Sequence, residues 1–171
     1  MLKSFLPNKL VKDIFQISPS ELKEQGIKAV ITDLDNTLVE WDRPNATPKL
    51  IQWFKSLEDA GILVTIVSNN NEVRVKSFSD PLELPFIYKA RKPMGKAFLR
   101  AIKDMKVEKE NTVVVGDQLL TDVLGGNRNG FYTILVVPVA QTDGFVTKFN
   151  RRVERRIMSW FKRKGLINWE D

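Results

Sequence analysis

The chain has 171 residues, a formal net charge of +6, no cysteine and no histidine. Disulfides, thiolate metal sites, cysteine nucleophiles, serine–histidine triads and histidine-ligated zinc are therefore excluded. Any chemistry must run on carboxylates, hydroxyls, lysines, arginines, backbone amides or a recruited metal.

The length suits one domain over 1–171 with a substantial core. The first segment, about 1–17, is amphipathic. Leu2, Leu6, Leu10 and Ile14 recur every four residues, with Phe5 and Phe15 beside them and Lys3, Lys9 and Lys12 interspersed. The lysines break any continuous apolar region, so no signal peptide is expected. No run reaches the roughly 18–20 apolar residues needed to cross a bilayer. A cytoplasmic protein is expected, with peripheral attachment to the inner face of the membrane left open.

Residues 27–34, rich in β-branched side chains, read as a buried strand that runs into "DLDNT". Residues 47–61 place Leu50, Ile51, Phe54 and Leu57 at helical spacing, with Thr47 as cap and Gly61 as stop. A second strand is expected at 62–68, a short helix at 70–79, a third strand at 84–89 and a helix over 92–105. A fourth strand at 111–117, a glycine-broken helix at 119–129 and a fifth strand at 132–138 complete the alternation. Apolar strands separated by helices predict an α/β fold, a Rossmann-like parallel sheet with helices on both faces. Ligands bind beyond the carboxyl ends of such strands, where Asp33, Ser68 and Asp117 all fall.

Asp33 and Asp35 stand two positions apart at the end of a strand, an arrangement that costs repulsion unless a cation lies between them or one is protonated. Asp117 and Asp122 offer further carboxylates, Ser68 a hydroxyl, the backbone around Asn69 amide donors, and Lys92 a positive charge. Lys89 and Arg91 compete with Lys92 for that role, and Asp122 also reads as a helix-start acid. Hard oxygen ligands suit Mg²⁺. Acids, a hydroxyl, a lysine and a metal together match a phosphoryl group, whose transfer needs positioning and charge neutralisation.

The residues 147–164 close the pattern. Phe149, Val153, Ile157, Trp160 and Phe161 line one side of a helix, and arginines and lysines fill the rest. Residues 148–171 hold eight Lys/Arg against three acids, so an anionic partner is expected: a membrane surface, an anionic phospholipid or nucleic acid. The alternative is that both terminal stripes dock on the core and leave their charge in water. These cations are expected to stand apart from the acids of the site.

In sequence the motifs resemble the haloacid dehalogenase (HAD) superfamily of phosphatases. Asp33-Leu34-Asp35-Asn36-Thr37 matches D-x-D-x-T, Ser68 closes a hydrophobic strand, Lys92 precedes a proline, and Gly116-Asp117 with Asp122 matches G-D-x(4)-D. The resemblance implies Asp33 as nucleophile and Asp35 as general acid and base, its pKa raised by carboxylate neighbours. It implies Mg²⁺ on Asp33, Asp117, Asp122 and Asp35 (through its carbonyl), and phosphoryl oxygens on Ser68, Asn69 and Lys92. Asp33 and Ser68 are 35 positions apart, Ser68 and Lys92 24, too close for a cap domain. An open crevice suits a large or membrane-bound phosphomonoester. The whole pattern resembles the cap-less class III, YqeG-type group, related to enzymes that convert phosphatidylglycerophosphate to phosphatidylglycerol. A small metabolite, a protein or a nucleic acid phosphate is the alternative substrate, and a nucleic-acid- or ribosome-associated binding factor on the same scaffold the rival function.

Overall fold

The computed structural model describes residues 2–140 and 145–168. Its centre is a six-stranded sheet: β1 (Lys9–Val11), β2 (Ala29–Thr32), β3 (Leu63–Val67), β4 (Phe86–Ile87), β5 (Thr112–Gly116) and β6 (Tyr132–Val136). The order is β1-β6-β5-β2-β3-β4, and every pairing is parallel. The helices are α1 (Pro19–Glu24), α2 (Pro48–Asp59), α3 (Glu72–Ser79), α4 (Lys96–Met105), α5 (Leu124–Arg128) and α6 (Phe145–Arg163).

Strand side chains alternate between the faces, and the core divides accordingly. Val30, Val64, Val113 and Ile134 share a cluster with Leu50, Trp53, Phe54 and Leu57 of α2 and with Val75 and Phe78 of α3. Ile31, Val67 and Val114 pack with Phe98 and Ala101 of α4. Leu135 packs with Leu119 and Val123, and Leu10, Ile157 and Met158 lie against them. The expected helical cover on both faces is thus present.

Local signals explain the element ends. Thr47 caps α2 by accepting from the Leu50 amide at 3.2 Å, with Pro48 in the first turn. Asn71 caps α3 through the Arg74 amide at 3.0 Å. The stretch expected as one helix over 119–129 opens with a π-helical turn, Leu119–Val123, before α5.

One expectation is corrected. The helix read from Lys92 begins at Lys96, because residues 89–95 form the loop that carries Lys92 inward. In the amphipathic N-terminal segment, Leu2, Leu6, Leu10 and Ile14 fall on separate short elements and the loop between them. Leu2–Phe5 and Ile14–Gln16 are short 3₁₀ turns, and β1 between them adds a sixth strand beside β6. Side chains hold this edge: the Thr133 amide donates to Asn8 Oδ1 at 2.8 Å, and Asn127 Nδ2 donates to the carbonyls of Ser4 and Leu6, each at 2.9 Å. A strand three residues long carries too short a pattern to show period two.

The apolar stripe of α6 docks largely on the protein itself. Phe161 is fully buried and Ile157 and Met158 are partly buried, whereas Phe149 is 68% exposed. Among the described residues no helix is long and apolar enough to cross a membrane. Truncating a buried Phe costs about 3–5 kcal/mol through lost burial and the cavity left behind. Phe161→Ala should lower stability in urea by about that amount, while Phe149→Ala should change it by less than about 0.5 kcal/mol. Equal effects would mean that α6 is not seated on the core.

Candidate active site

The polar residues collect where the central strands end. Asp33 follows β2, Ser68 follows β3 and Asp117 follows β5, three neighbours in the sheet. The Asp33 amide still donates to the Val115 carbonyl at 2.9 Å, so the sheet fixes the backbone beneath the site. Asn36 then adopts φ 60°, a left-handed conformation that asparagine tolerates. Its amide donates to the Val39 carbonyl at 2.7 Å and closes a tight turn. The turn brings Thr37 back over the strand ends. Its hydroxyl lies 3.0 Å from Asp117 Oδ1 and 3.3 Å from Asp33 Oδ2, and its single proton serves one at a time.

Lys92 is the centre of charge. Its Nζ donates to Asp33 Oδ1 at 2.9 Å and to Asp122 Oδ1 at 2.6 Å, and its side chain is 3% exposed. The competition is resolved by burial, since Lys89 and Arg91 point outward. Asn69 clamps the loop that carries it: the Lys92 amide donates to Asn69 Oδ1 at 2.8 Å, and Asn69 Nδ2 returns a bond to the Lys92 carbonyl at 3.2 Å. The Asn69 side chain therefore holds Lys92 in place. Ser68 is buried, and its Oγ accepts from the Asn70 amide at 3.1 Å.

Asp122 approaches from the π-helical turn. Its Oδ2 accepts from the Gln118 amide at 3.2 Å. Gly116 makes room for it, because a Cβ there would collide with the Asp122 carboxyl group. That is the physical reason for glycine before Asp117. Carboxylate oxygens of Asp33, Asp117 and Asp122 all lie within 4.8 Å of one another, and all three residues are buried.

Asp35 lacks the carboxylate neighbours expected of it. Its carboxylate stands outside this trio. Its neighbours are a guanidinium and an amide rather than carboxylates: Arg74 Nε and Nη2 reach Oδ1 at 2.9 Å, and Asn70 Nδ2 reaches Oδ2 at 2.9 Å. Arg74 also donates to the Arg43 carbonyl at 2.7 Å, so it ties the loop after Thr37 to α3.

The tail is not separate from the acids. Arg151 of α6 donates through Nη1 to the Asp117 carbonyl at 2.7 Å and through Nη2 to Asp117 Oδ2. It also pairs with Glu154 at 3.2 Å, and Glu154 Oε1 accepts from the Leu120 amide at 3.1 Å. Arg151 and Glu154 together grip the loop between Asp117 and Leu120. Thr37 was visible as the last letter of its motif. Arg74, Arg151 and Glu154 carried no signal, since only the packing of α3 and α6 aims them.

Four carboxylates (Asp33, Asp117, Asp122, Glu154) meet two cations here, Lys92 and Arg151. Burial, reinforced by the Asp33 charge, pushes the Asp117 carboxyl well above the usual range against the pull of Arg151. Burial also raises Asp122, up to about 6, with Lys92 opposing and Asp33 adding to the rise. Burial pulls the Lys92 ammonium down, but Asp122 and Asp33 outweigh it and hold it protonated. An excess of buried negative oxygen with these short separations fits a divalent cation with hard-ligand preference.

The signs give a test. A carboxyl raised by folding contributes stability that is full below its unfolded pKa and is lost as pH climbs through the folded one. For Asp122 the window runs from 3.8 to about 6. In chelator, the urea midpoint of the wild type should therefore fall relative to that of Asp122→Asn across that interval. A constant difference would remove the electrostatic account.

Comparison with known proteins agrees with this geometry. A family model described as HAD-hydrolase-like matches residues 89–138. A Bacillus subtilis (strain 168) protein named "Probable phosphatase YqeG" is 70% identical over 169 residues, which is 99% of this chain and 98% of that one. The Arabidopsis thaliana phosphatidylglycerophosphate phosphatase 1, chloroplastic/mitochondrial, is 30% identical over 94% of this chain, which spans 49% of the plant protein. In fold, the chain resembles the cobalt-bound deoxy-D-mannose-octulosonate 8-phosphate phosphatase of Haemophilus influenzae. The TM-score is 0.56 at 21% identity, over 74% of this chain and 76% of that one. The chain belongs to the HAD-like hydrolases and is a phosphatase of that family.

Proposed function

We propose that the protein hydrolyses a phosphate monoester through an aspartyl-phosphate on Asp33, with Mg²⁺ held by Asp33, Asp117, Asp122 and the backbone carbonyl of Asp35. The observation that carries this reading is Asp33 itself. It is a carboxylate fixed at the end of a central strand, with Thr37 on one oxygen, Lys92 on the other, and Asp117 and Asp122 within reach. The cation, when bound, screens the acids from one another and from the incoming dianion. Asp35 lends no carboxylate to that set.

The residues divide the work as follows. Asp33 attacks phosphorus with a carboxylate oxygen, and the bond to the leaving oxygen breaks. Asp35, oriented by Arg74 and Asn70, gives that oxygen a proton. Asp35 then takes a proton from water, which attacks the phosphorus and frees Asp33 and inorganic phosphate. Lys92 uses two of its three protons on Asp33 and Asp122, and the third is available to a phosphoryl oxygen. Ser68 and the amide of Asn69 supply further donors. Asp33→Asn should keep the fold and lower turnover of an aryl phosphate by at least about three orders of magnitude. Near-normal activity in that variant would overturn the mechanism.

The substrate we favour is a phosphomonoester on a large body, with phosphatidylglycerophosphate as the specific candidate. Two observations support it: the name of the plant relative, and the absence of a cap. Residues 38–67 and 69–91 hold α2, β3, α3, a 3₁₀ turn at Asp80–Leu82, β4 and the loops that join them, none of which forms a separate lid. A phosphate-release screen should rank this lipid above sugar phosphates and phosphopeptides. A preference for sugar phosphates would end the lipid reading and leave the chemistry standing.

Mg²⁺ should raise the melting temperature and restore activity to chelated protein. Ca²⁺, with a larger and looser shell, should raise the melting temperature with little turnover. Full activity in excess chelator would contradict the assignment.

A further inference from the structure

A groove of about 910 Å³ runs between α6 and the chain that leaves β6, and Asp117 forms part of its wall. Arg151 stands at that end, on Asp117 and Glu154. Along the helix side the groove is lined by Lys148, Arg152, Arg155 and Lys162. On the far side Leu135 and Val137 give it an apolar wall. Among the described residues, the acids in the lining are Asp117 and Glu154, and Arg151 engages both. Among the described residues, no carboxylate pairs with Lys148, Arg152, Arg155 or Lys162.

Four like charges spaced 4, 3 and 7 positions apart on one helix face repel one another. An anion in the groove relieves that repulsion, and the apolar wall strengthens the attraction by lowering the local dielectric. Arginine forks match phosphate oxygens in pairs. The groove shares Asp117 with the carboxylate trio, so an anion in it would lie beside a phosphoryl group at Asp33.

Resting on the phosphatase reading above, we propose that this groove seats a second phosphate of the substrate, in diester linkage, while its terminal monoester lies at Asp33. The substrate class is then a phosphomonoester joined through a short polyol to a phosphodiester. Arg152 and Arg155 are the specificity residues, and Lys148 and Lys162 add field. The recognition lies in the head group and does not require acyl chains or a bilayer.

The test uses two water-soluble substrates on the full-length, Mg²⁺-loaded protein: glycerol 3-phosphate, with one phosphate, and glycerophosphoglycerol phosphate, with a diester as well. In the wild type, kcat/KM should favour the second by at least about tenfold. In Arg152→Gln/Arg155→Gln the ratio should fall to within about threefold of unity, mainly through KM. Calorimetry with glycerophosphoglycerol, which carries the diester alone, should show binding to the wild type and at least about tenfold weaker binding to the variant. A ratio near one in the wild type overturns the proposal, as does a variant that loses both substrates equally. A variant that keeps the ratio and loses only adhesion to anionic vesicles also overturns it, and assigns the cations to a membrane surface. If the wild type hydrolyses no phosphomonoester at all, the phosphatase reading fails instead. The calorimetric arm then decides the groove, and lack of binding there overturns it.

Discussion

A lysine ammonium buried to 3% exposure is tolerable only when opposite charge surrounds it closely. Lys92 meets that condition with Asp33 at 2.9 Å and Asp122 at 2.6 Å, and much of the local structure serves to keep it there. Asn69 pins its backbone from β3, and the missing side chain of Gly116 lets Asp122 come close. The π-helical turn at Leu119–Val123 presents that carboxyl group. The price of this arrangement is a set of acids raised out of their ordinary range, which is the imbalance a divalent cation corrects.

The legible part of the fold was the part with enough repeats to show a period. β2, β3, β5 and β6 are four- and five-residue apolar runs, and α2 shows its stripe over three turns. β1 was hidden because three residues, Lys9–Val11, cannot show alternation, and because a chance spacing of Leu2, Leu6, Leu10 and Ile14 imitates a helix. In the site, the acids, Ser68 and Lys92 were legible because strand ends and motif spacing place them. The immediate partners of Asp35 and Asp117 were not. Arg74 is 39 residues from Asp35, and Arg151 is 34 from Asp117. Contacts of that kind depend on how two helices pack, which no local pattern encodes.

The tail unites two features that looked alternative in sequence. Most of its apolar residues dock on the core, Phe149 excepted, and its cations face a groove and the Asp117 loop. Arg151 and Glu154 make α6 part of the site's support, although the helix lies outside the stretch matched by the family model, residues 89–138. Charge on α6 is therefore not a uniform coat. One arginine holds a carboxylate, and others are left to face anions.

The edge position of β1 has a consequence for how the chain acquires its shape. Asn8 and Thr133, which lock β1 to β6, are 125 residues apart, so closing that contact carries a large loop entropy. β2 and β3, joined by a single helix, meet much sooner. During synthesis the ribosome delivers the β1 segment first, yet its partner strand emerges only after β2 to β5 are all available. Because β1 pairs only with β6 in the sheet, the earliest-made strand cannot complete its pairing until the last-made strand is available. Before docking Lys9–Val11 is unpaired on both sides and afterwards it remains the edge of the sheet, where the lysines at 9 and 12 discourage pairing with another chain.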